Sequence, residues 1–283
     1  MANTRELRRR IKSVKNTSQI TKAMQMVAAT KMRRAASQAL SGRPYGETLR
    51  SALERLGFGV NPEAHPLLSE HTSGVTGVLL LTTDKALCGA LNTNLFRAIL
   101  KSQFGGNIKY FTVGGKGRNF VVRSGKTLEA DFENPEIIIF RQARQISKIL
   151  INAFLEGLLK EVYLVYPQFV STLRQEARLA KLLPIDAPVL TSEARSDTQE
   201  FLFEPNPDVL LDFVLTHQVE TQIYQALLET KASEHSARMM AMQNATENAK
   251  ELVEDLTLTY NQTRQSAITN ELLEITTAQA ALE

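Results

Sequence analysis

Cys88 is the single cysteine of the 283-residue chain, and it lies in the segment TTDKALCGALN (residues 82–92), close to Asp84 and Lys85. A thiol in such a segment could act as a nucleophile if a neighbouring base removed its proton. The sequence offers no cue for such a base, and a lone cysteine is more often a small buried apolar residue. We therefore interpret Cys88 as a structural residue.

A glycine-rich segment, VGGKGRN at residues 113–119, follows a predicted strand and precedes a possible helix. Backbone N–H groups at the start of such a helix could bind a phosphate. The segment matches neither the dinucleotide fingerprint G-x-G-x-x-G nor the P-loop pattern G-x-x-x-x-G-K-[ST]. A tight turn is the simpler interpretation, and a small-molecule enzyme built around these glycines is the third-ranked hypothesis.

Other residues with catalytic or metal-binding chemistry show no suitable pattern. The four histidines, His65, His71, His217 and His235, have no ligand spacing with one another or with Cys88. No carboxylate pair and no Ser/His/Asp set has the spacing that catalysis requires. The sequence thus predicts no active site, no metal and no cofactor, and one cysteine cannot form an intrachain disulfide.

Five cations lie close together near the N-terminus: Arg8, Arg9, Arg10, Lys12 and Lys15. Such a cluster could bind nucleic acid or an anionic lipid surface. Residues 1–40 carry ten Lys or Arg against one acid, whereas residues 208–283 carry four against twelve Asp or Glu. The acidic C-terminal segment offers the cluster an internal partner, so a basic coiled-coil protein that binds nucleic acid is the alternative hypothesis.

Long helices are predicted at both ends of the chain. Residues 1–41 contain no Gly or Pro, and their apolar and small residues recur at alternating steps of three and four, the heptad pattern of a coiled coil. These positions, the N-terminal seam, are Thr4, Leu7, Ile11, Val14, Ser18, Thr21, Gln25, Ala28, Met32, Ala35 and Ala39. A second row, Ile20, Met24 and Val27, flanks the seam. We expect Gly42 and Pro44 to interrupt the helix.

Residues 208–283 also lack Gly and Pro, and the part from Asn244 to Gln265 is poor in large aliphatic side chains. A comparable stripe runs along this segment: Ile223, Leu227, Thr230, Ala237, Met240, Leu252, Leu256 and Tyr260. Two such helices at opposite ends of one chain pair most simply as an antiparallel coiled coil.

The middle of the chain alternates apolar runs of strand length with helical patterns. The predicted strands are residues 74–83, 108–113 and 161–170, and the predicted helices are residues 92–103, a short one after the glycine turn, and 134–157. This alternation is typical of an α/β domain with a mainly parallel sheet. Residues 184–207 are interpreted as a linker or an edge hairpin. No apolar run approaches the ~20 residues that cross a bilayer.

Three long motifs resemble the gamma subunit of F-type ATP synthase: Arg10–Ala35, Leu87–Phe96 and Arg238–Ile275. The segment FVSTLRQEARLAKLLPI (residues 169–185) is also similar, so the resemblance covers essentially the whole chain. It implies an α/β plus coiled-coil fold, in which the terminal helices (residues 1–56 and 208–283) form a shaft and a Rossmann-like domain (residues 74–190) lies at its base.

The resemblance also implies a function without an active site on this chain. The shaft turns inside a ring of three alpha and three beta subunits, and couples proton flow through the membrane sector to ATP synthesis or hydrolysis by the beta subunits. The implied partners are the alpha, beta and epsilon subunits and the c ring, with one copy of this chain per complex and no nucleic acid. The implied location is peripheral, at the cytoplasmic face of the bacterial plasma membrane.

The resemblance also implies partner contacts for individual residues that match the family's motifs. The implied contacts with the alpha–beta ring are Arg264, Gln265, Thr269, Glu271 and Met24. Phe203, in FLFEPNP, is the implied contact with the c ring or epsilon. One departure is visible, because Ala278 and Gln279 stand where the family usually has Gly-Ala. Since alanine favours a helix more than glycine does, we expect a stiffer last turn.

Overall fold

The computed structural model describes residues 4–56, 65–102, 104, 107–185 and 207–280. The elements in chain order are α1 (Thr4–Leu56), β1 (Val75–Leu81), α2 (Leu91–Lys101), β2 (Ile108–Val113), α3 (Gly115–Arg123), β3 (Thr127–Phe132), α4 (Phe140–Leu155), β4 (Leu159–Phe169), β5 (Gln175–Leu183) and α5 (Pro207–Ala280). The chain forms two compact units. The helix-pair unit contains α1 up to Ala29 and α5 from Arg238, and the sheet unit contains Thr30–Ala237.

The sheet unit is built on five strands in the order β3-β2-β1-β4-β5. The pairs β1–β2, β1–β4 and β2–β3 are parallel, and the edge strand β5 is antiparallel to β4. Strand β1 is a continuous buried run from Thr76 to Leu81, as expected for the centre of a sheet that is covered on both faces. The prediction of a mainly parallel α/β domain with long terminal helices is confirmed.

Helices cover the sheet because successive strand residues point to opposite faces. Val78 and Leu80 of β1 share a buried cluster with Leu95 of α2 and Val121 of α3. Leu79 and Leu81, also buried, therefore point to the opposite face. Helix α4 packs on β4 and buries residues at three- and four-residue steps: Ala143, Ile146, Ser147, Leu150, Ile151 and Phe154.

The helix-pair unit joins the two ends of the chain through buried, mostly small side chains. Thr21 of α1 and Thr246 of α5 are hydrogen-bonded across the pair. In an antiparallel pair with this register, Thr4 lies opposite Thr263, since each is seventeen residues from its threonine. Thr263 is also the last residue of α5 that is not exposed among those whose burial is described. The burial of α5 thus ends opposite the first described residue of α1, as antiparallel pairing requires.

The structure differs from the prediction at three elements. Helix α4 begins at Phe140 and not at Asn134, because Pro135 and an extended backbone at Ile139 (φ −115°, ψ 148°) precede it. Strand β3 was not predicted, and neither was β5. Both are edge strands interrupted by charged residues, as in TLEADF and QEARLAKLL, so they lack the apolar run of a central strand.

Helix α1 continues through Gly42 and Pro44 to Leu56, contrary to the predicted interruption. The two helices approach closely at this glycine, where a Cβ at position 42 would lie 2.6 Å from Gln225 Oε1 of α5. The next residue, Arg43, is tied to α5 and to β4 by hydrogen bonds. Tertiary contacts therefore offset the helix-weakening effect of these residues.

Candidate functional surfaces

The predicted seam of α1 is confirmed at every position, since all its members are buried or half-buried. The matching seam of α5 in the helix-pair unit comprises Met242, Thr246, Ala249, Val253, Leu256, Tyr260 and Thr263, again at steps of three and four. The predicted stripe was wrong at Leu252, which is 41% exposed, and Val253 occupies the seam in its place.

The flanking row of α1 is left largely uncovered within the helix-pair unit. Ile20 is 61% exposed and Val27 is 57% exposed, while Met24 between them is half-buried. These residues are spaced i, i+4 and i+7, so they share one side of the helix. Together they form an apolar row that the paired helix does not cover.

The end of α5 beyond Thr263 carries the residues implied to contact the ring. Arg264, Gln265, Thr269 and Glu271 are all exposed, and the Thr269 hydroxyl donates only to its own helix, at Gln265 O, 3.0 Å away. At ~100° per residue, these four flank a stripe formed by Ile268, Leu272 and Ile275. That stripe is exposed too, with values of 49%, 58% and 63%. This end of α5 therefore presents an apolar stripe with polar borders.

The basic cluster of α1 does not pair with the acidic helix as expected. Among the residues that the structure describes, none of the cations Arg8, Arg9, Arg10, Lys12 and Lys15 forms an ion pair, and all are exposed. The reason is geometric, because small and apolar residues fill the seam and the charges point outward. The cluster therefore remains available to an acidic surface.

A second candidate site lies in the interior of the sheet unit, where α1 and α5 pack against the sheet. We call it the helix–sheet joint, and it consists of Arg43, Asn134, Glu136, Pro167, Phe169, Glu229, Lys231, Ser233 and His235. On α5 every residue from Ala226 to Ser236 is buried. Three of them, Ala232, Ser233 and Ser236, are fully enclosed, and the Ser233 hydroxyl donates to Pro167 O at 2.9 Å.

Arg43 is the central cation of the joint. Its Nη2 donates to Phe169 O at 2.8 Å and to Glu229 Oε1 at 3.1 Å, and its Nε donates to the same Oε1 at 3.3 Å. One side chain of α1 thereby binds both α5 and the end of β4. Sequence analysis missed this residue, because Arg43 and Glu229 are far apart in the chain and no local pattern links them.

The loop after β3 forms the other half of the joint. Asn134 donates from Nδ2 to Thr82 O at the end of β1, at 3.0 Å, and its own carbonyl accepts from Lys231 Nζ of α5 at 3.3 Å. Glu136 Oε1 lies 2.8 Å from Lys31 Nζ of α1 and 3.5 Å from His235 Nε2 of α5. This short loop therefore links the sheet to both long helices.

Glu136 gives the joint a measurable pH dependence. The hydrogen bond from Lys31 holds the pKa of the Glu136 carboxyl below its usual value, helped by the charges of His235 and Lys231 and opposed by partial burial. A lowered folded-state pKa stabilises the fold above the unfolded pKa, and this stabilisation is lost as the pH falls through the folded pKa. We expect Glu136→Gln to remove that contribution, which is at most about 1 kcal/mol for so exposed a pair.

The measurement is urea unfolding of the wild type and the variant between pH 7 and pH 3. The difference between the two unfolding free energies should shrink as the pH falls below the ordinary glutamate pKa. Glu133→Gln, which changes a carboxylate of the same loop, is the matched control. A difference that stays constant over this range would contradict the assigned role of Glu136.

The glycine-rich segment forms a tight turn against β1. Gly114 has φ +96°, and the Gly115 N–H donates to Asp84 Oδ1 at 2.8 Å. A carboxylate therefore already occupies the start of α3, and the adjoining cleft is lined by two further acids, Asp131 and Glu133, against one cation, Arg118, which leaves an excess of negative charge. This charge opposes phosphate binding, which weighs against the hypothesis of a small-molecule enzyme.

Cys88 is buried, as interpreted from the sequence, with 2% of its surface exposed. Its Sγ accepts from Asn92 Nδ2 at 3.5 Å and lies 3.9 Å from Lys85 O. No group of three or more potential metal ligands occurs in the part of the chain that the structure describes. Within the same residues, no helix combines the length and apolar character that a membrane span requires.

Phe203, the implied contact with the c ring or epsilon, lies outside the described residues, as does most of the predicted linker of residues 184–207. The three-part division of the chain at residues 1–56, 74–190 and 208–283 stays a prediction.

Comparison with known proteins gives relatives over the full length of the chain. A family model described as ATP synthase matches residues 3–282. The ATP synthase gamma chain of Opitutus terrae is 41% identical over 293 residues and covers 99% of each chain. The ATP synthase gamma chain of Herpetosiphon aurantiacus is 44% identical over 305 residues, with 100% of this chain and 99% of the relative covered.

Solved structures with the same fold come from mitochondrial ATP synthases. A chain of the Euglena gracilis enzyme, solved with OSCP, F1 and the c-ring, has a TM-score of 0.74 at 21% identity. The matched region covers 99% of this chain and 94% of the Euglena chain. A chain from the central stalk and c-ring of the Tetrahymena thermophila enzyme has a TM-score of 0.59 at 26% identity. The matched region covers 80% of this chain and 99% of the Tetrahymena chain. On this evidence the chain belongs to the ATP synthase gamma chain family.

Proposed function

We propose that this chain is the rotor shaft of an ATP synthase and that it couples ion flow through the membrane sector to the conformational cycle of the catalytic beta subunits. A central-stalk role without catalysis follows from membership of the family. The observation that carries the proposal is the agreement of sequence over the whole chain, at 41–44% identity with gamma chains of two bacteria. The specific partners in this proposal are three alpha subunits, three beta subunits, the epsilon subunit and the c ring. Each complex holds one copy of this chain.

The proposed mechanism uses the exposed end of α5 as the bearing. An apolar stripe makes contacts that do not depend strongly on direction, whereas Arg264 and Glu271 at its border make hydrogen bonds that depend on angle. Met24, which is half-buried between the exposed Ile20 and Val27 of α1, is proposed to contact a moving element of beta. Phe203 is proposed to contact the c ring or epsilon, and the whole complex is proposed to hold the chain at the cytoplasmic face of the plasma membrane.

Polar side chains also explain how a shaft can turn without being trapped. Burial of apolar surface stabilises a contact by about 25 cal/mol per Å², so a broad apolar patch would favour one orientation, whereas a narrow stripe such as that at the end of α5 buries less area and does so less strongly. The stretch from Asn244 to Gln265 instead exposes mainly Asn, Thr, Gln and charged residues, together with Leu252 and Leu258. Such groups exchange partners with water at a small net cost.

Reconstitution with alpha and beta subunits tests the proposal. We expect one copy of the chain to assemble with three alpha and three beta subunits and to rotate, with a bead on the sheet unit as the marker, while ATP is hydrolysed. Hydrolysis by the assembled ring without any rotation of this chain would refute the rotor function.

The proposed bearing is tested by Arg264→Ala. We expect coupled ATP synthesis to fall about tenfold, which corresponds to about 1.4 kcal/mol, because a charge-assisted hydrogen bond is lost. The free energy of unfolding should change by less than about 0.5 kcal/mol, since Arg264 is exposed. Lys250→Ala, at an exposed cation of the same helix within the paired region, is the control. Equal losses of synthesis and stability in the Arg264 variant would contradict a bearing role.

A further inference from the structure

We propose that Leu87 is held in a strained backbone conformation so that its side chain docks into an apolar pocket on the alpha–beta ring. The conformation and the exposure of Leu87 are properties of this chain alone. The identity of the partner rests on the rotor function proposed above.

Leu87 has a backbone conformation that leucine rarely adopts. Among the residues that the structure describes, it is the only one other than glycine with a positive φ, at +66°. The left-handed region crowds a Cβ against the following carbonyl oxygen, whereas glycine enters it freely. Gly89, two residues later, has a similar φ of +58°. A glycine at position 87 would therefore make the same turn without strain.

The fold does not explain why a leucine stands at this strained position. The Leu87 side chain is 55% exposed, and the residue that the loop buries is its neighbour Cys88, at 2%. Turn geometry favours glycine at position 87, and a large apolar side chain gains little from an exposed site. Strained residues of this kind cluster at functional sites. We therefore infer that the side chain has a partner outside this chain.

Hydrogen bonds on both sides of Leu87 make the loop rigid. The Thr83 hydroxyl donates to Lys85 O at 2.9 Å, and Asn92 Nδ2 donates to the same hydroxyl at 2.8 Å. Asn92 Oδ1 accepts from the Thr83 N–H at 3.3 Å, and Asn92 Nδ2 also lies 3.5 Å from Cys88 Sγ. A side chain presented by such a loop loses little conformational freedom when it docks.

The position of the loop selects the ring among the proposed partners. The loop begins at the end of β1, where Thr82 O accepts from Asn134 Nδ2 at 3.0 Å. The carbonyl of Asn134 accepts from Lys231 Nζ of α5 at 3.3 Å. Helix α5 leaves the sheet unit after Ala237 and continues into the helix that the ring is proposed to enclose. A residue beside this part of α5 is placed to reach the ring.

The side chains of the loop define the chemistry of the pocket. Lys85 is exposed, and it forms no ion pair with the residues that the structure describes. The matching surface is therefore an apolar pocket for Leu87 with a carboxylate at its rim for Lys85. One leucine buries a small area, so the contact can be broken and remade as the shaft turns.

A fluorescent probe tests the contact in the assembled complex. In a Cys88→Ser background, an environment-sensitive dye on Leu87→Cys should shift its emission to shorter wavelength when the chain assembles with alpha and beta subunits. Leu100→Cys is the matched control, because Leu100 is also exposed, at 66%, but lies at the end of α2 that leads back to the start of β2. The emission of the dye at position 100 should not change.

Three substitutions separate the strain from the contact. Leu87→Ala and Leu87→Gly both remove the side chain, but only glycine relieves the left-handed strain. In the isolated chain, we expect the thermal midpoint of Leu87→Gly to exceed that of Leu87→Ala by about 2–4 °C. Both complexes should dissociate about tenfold faster than the wild type on dilution, because an apolar contact is lost. Leu87→Met keeps an apolar side chain of similar size and should dissociate at nearly the wild-type rate.

The proposal is overturned if the dye at position 87 shows no shift on assembly, or if the Ala and Gly variants dissociate at the wild-type rate. It is also overturned if Leu87→Gly is no more stable than Leu87→Ala, because position 87 would then carry no strain. These outcomes leave the rotor function standing as long as the wild-type chain assembles and rotates. A wild-type complex that does not rotate refutes the rotor function instead.

Discussion

Replacing Arg43 by alanine is expected to lower the free energy of unfolding by about 3 kcal/mol. The Glu229 side chain is only 5% exposed, and its Oε1 accepts both hydrogen bonds from Arg43. Without the guanidinium, Gln225 Nε2 at 3.3 Å remains as a donor to that oxygen, and Oε2 has no hydrogen-bond partner. This loss of stability is at the lower end of the range for a broken buried ion pair, because the Arg43 side chain is 35% exposed and water can reach the site.

Chemical denaturation followed by circular dichroism measures this loss, and two variants identify its cause. Arg34→Ala, at an exposed cation of the same helix, should change the free energy of unfolding by less than about 0.5 kcal/mol. Glu229→Gln in the Arg43→Ala background removes the unpaired charge, so it should recover much of the lost stability. If this second change destabilised the chain further, the explanation by an unpaired buried carboxylate would fail.

The sequence predicted the seam of α1 because helix pairing imposes a local and periodic rule. Every seam position from Thr4 to Ala39 is buried or half-buried, including the polar residues Ser18 and Gln25. The prediction for α5 was wrong at Leu252, because it chose a large aliphatic residue that does not fit the spacing of three and four residues. The α5 series runs 246, 249 and 253, so Val253 and not Leu252 faces the partner.

The sheet was predictable at its centre and not at its edges. β1 is an apolar run buried on both faces, whereas β3 alternates exposed and half-buried residues and carries charges.

The helix–sheet joint has no local pattern in the sequence that could have predicted it. Its contacts, such as that of Lys231 with Asn134, join residues that approach each other only after the sheet has formed. Polar residues in such a joint look like ordinary surface residues in the sequence.

The implied partner residues show a similar limit. Motif resemblance selected Arg264 and Glu271, and the structure adds that both border an exposed apolar stripe. The stripe itself was not predicted, because the acidic and polar character of α5 dominates its composition. Helical periodicity around Ile268 and Ile275 was the signal that could have revealed it.

Gly114→Ala is expected to lower the free energy of unfolding by about 4 kcal/mol, from two causes that add. The residue has φ +96°, a conformation that costs a residue with a side chain of the order of 1–3 kcal/mol. A Cβ there would also lie 2.5 Å from Thr82 O and 2.9 Å from its carbonyl carbon. Such overpacking costs typically about 1–3 kcal/mol more.

Thr82 cannot move away cheaply, because its groups hold the end of β1 in place. Its N–H donates to Val113 O at 2.8 Å, its carbonyl accepts from Asn134 Nδ2 at 3.0 Å, and its hydroxyl accepts from Gly117 N at 2.8 Å. The clash therefore has to be absorbed by the turn or by the helix–sheet joint through Asn134. This arrangement explains the glycines by packing, without any phosphate.

Gly125→Ala is the matched control for the strain alone. Gly125 also has a positive φ, +64°, but no heavy atom lies within 4 Å of a Cβ built there. We expect this variant to lose only about 1–2 kcal/mol, the usual cost of the left-handed conformation. The excess loss in Gly114→Ala, measured by denaturation of both variants under the same conditions, is then the cost of the contact with Thr82. Equal losses in the two variants would show that close packing against β1 is not why position 114 requires glycine.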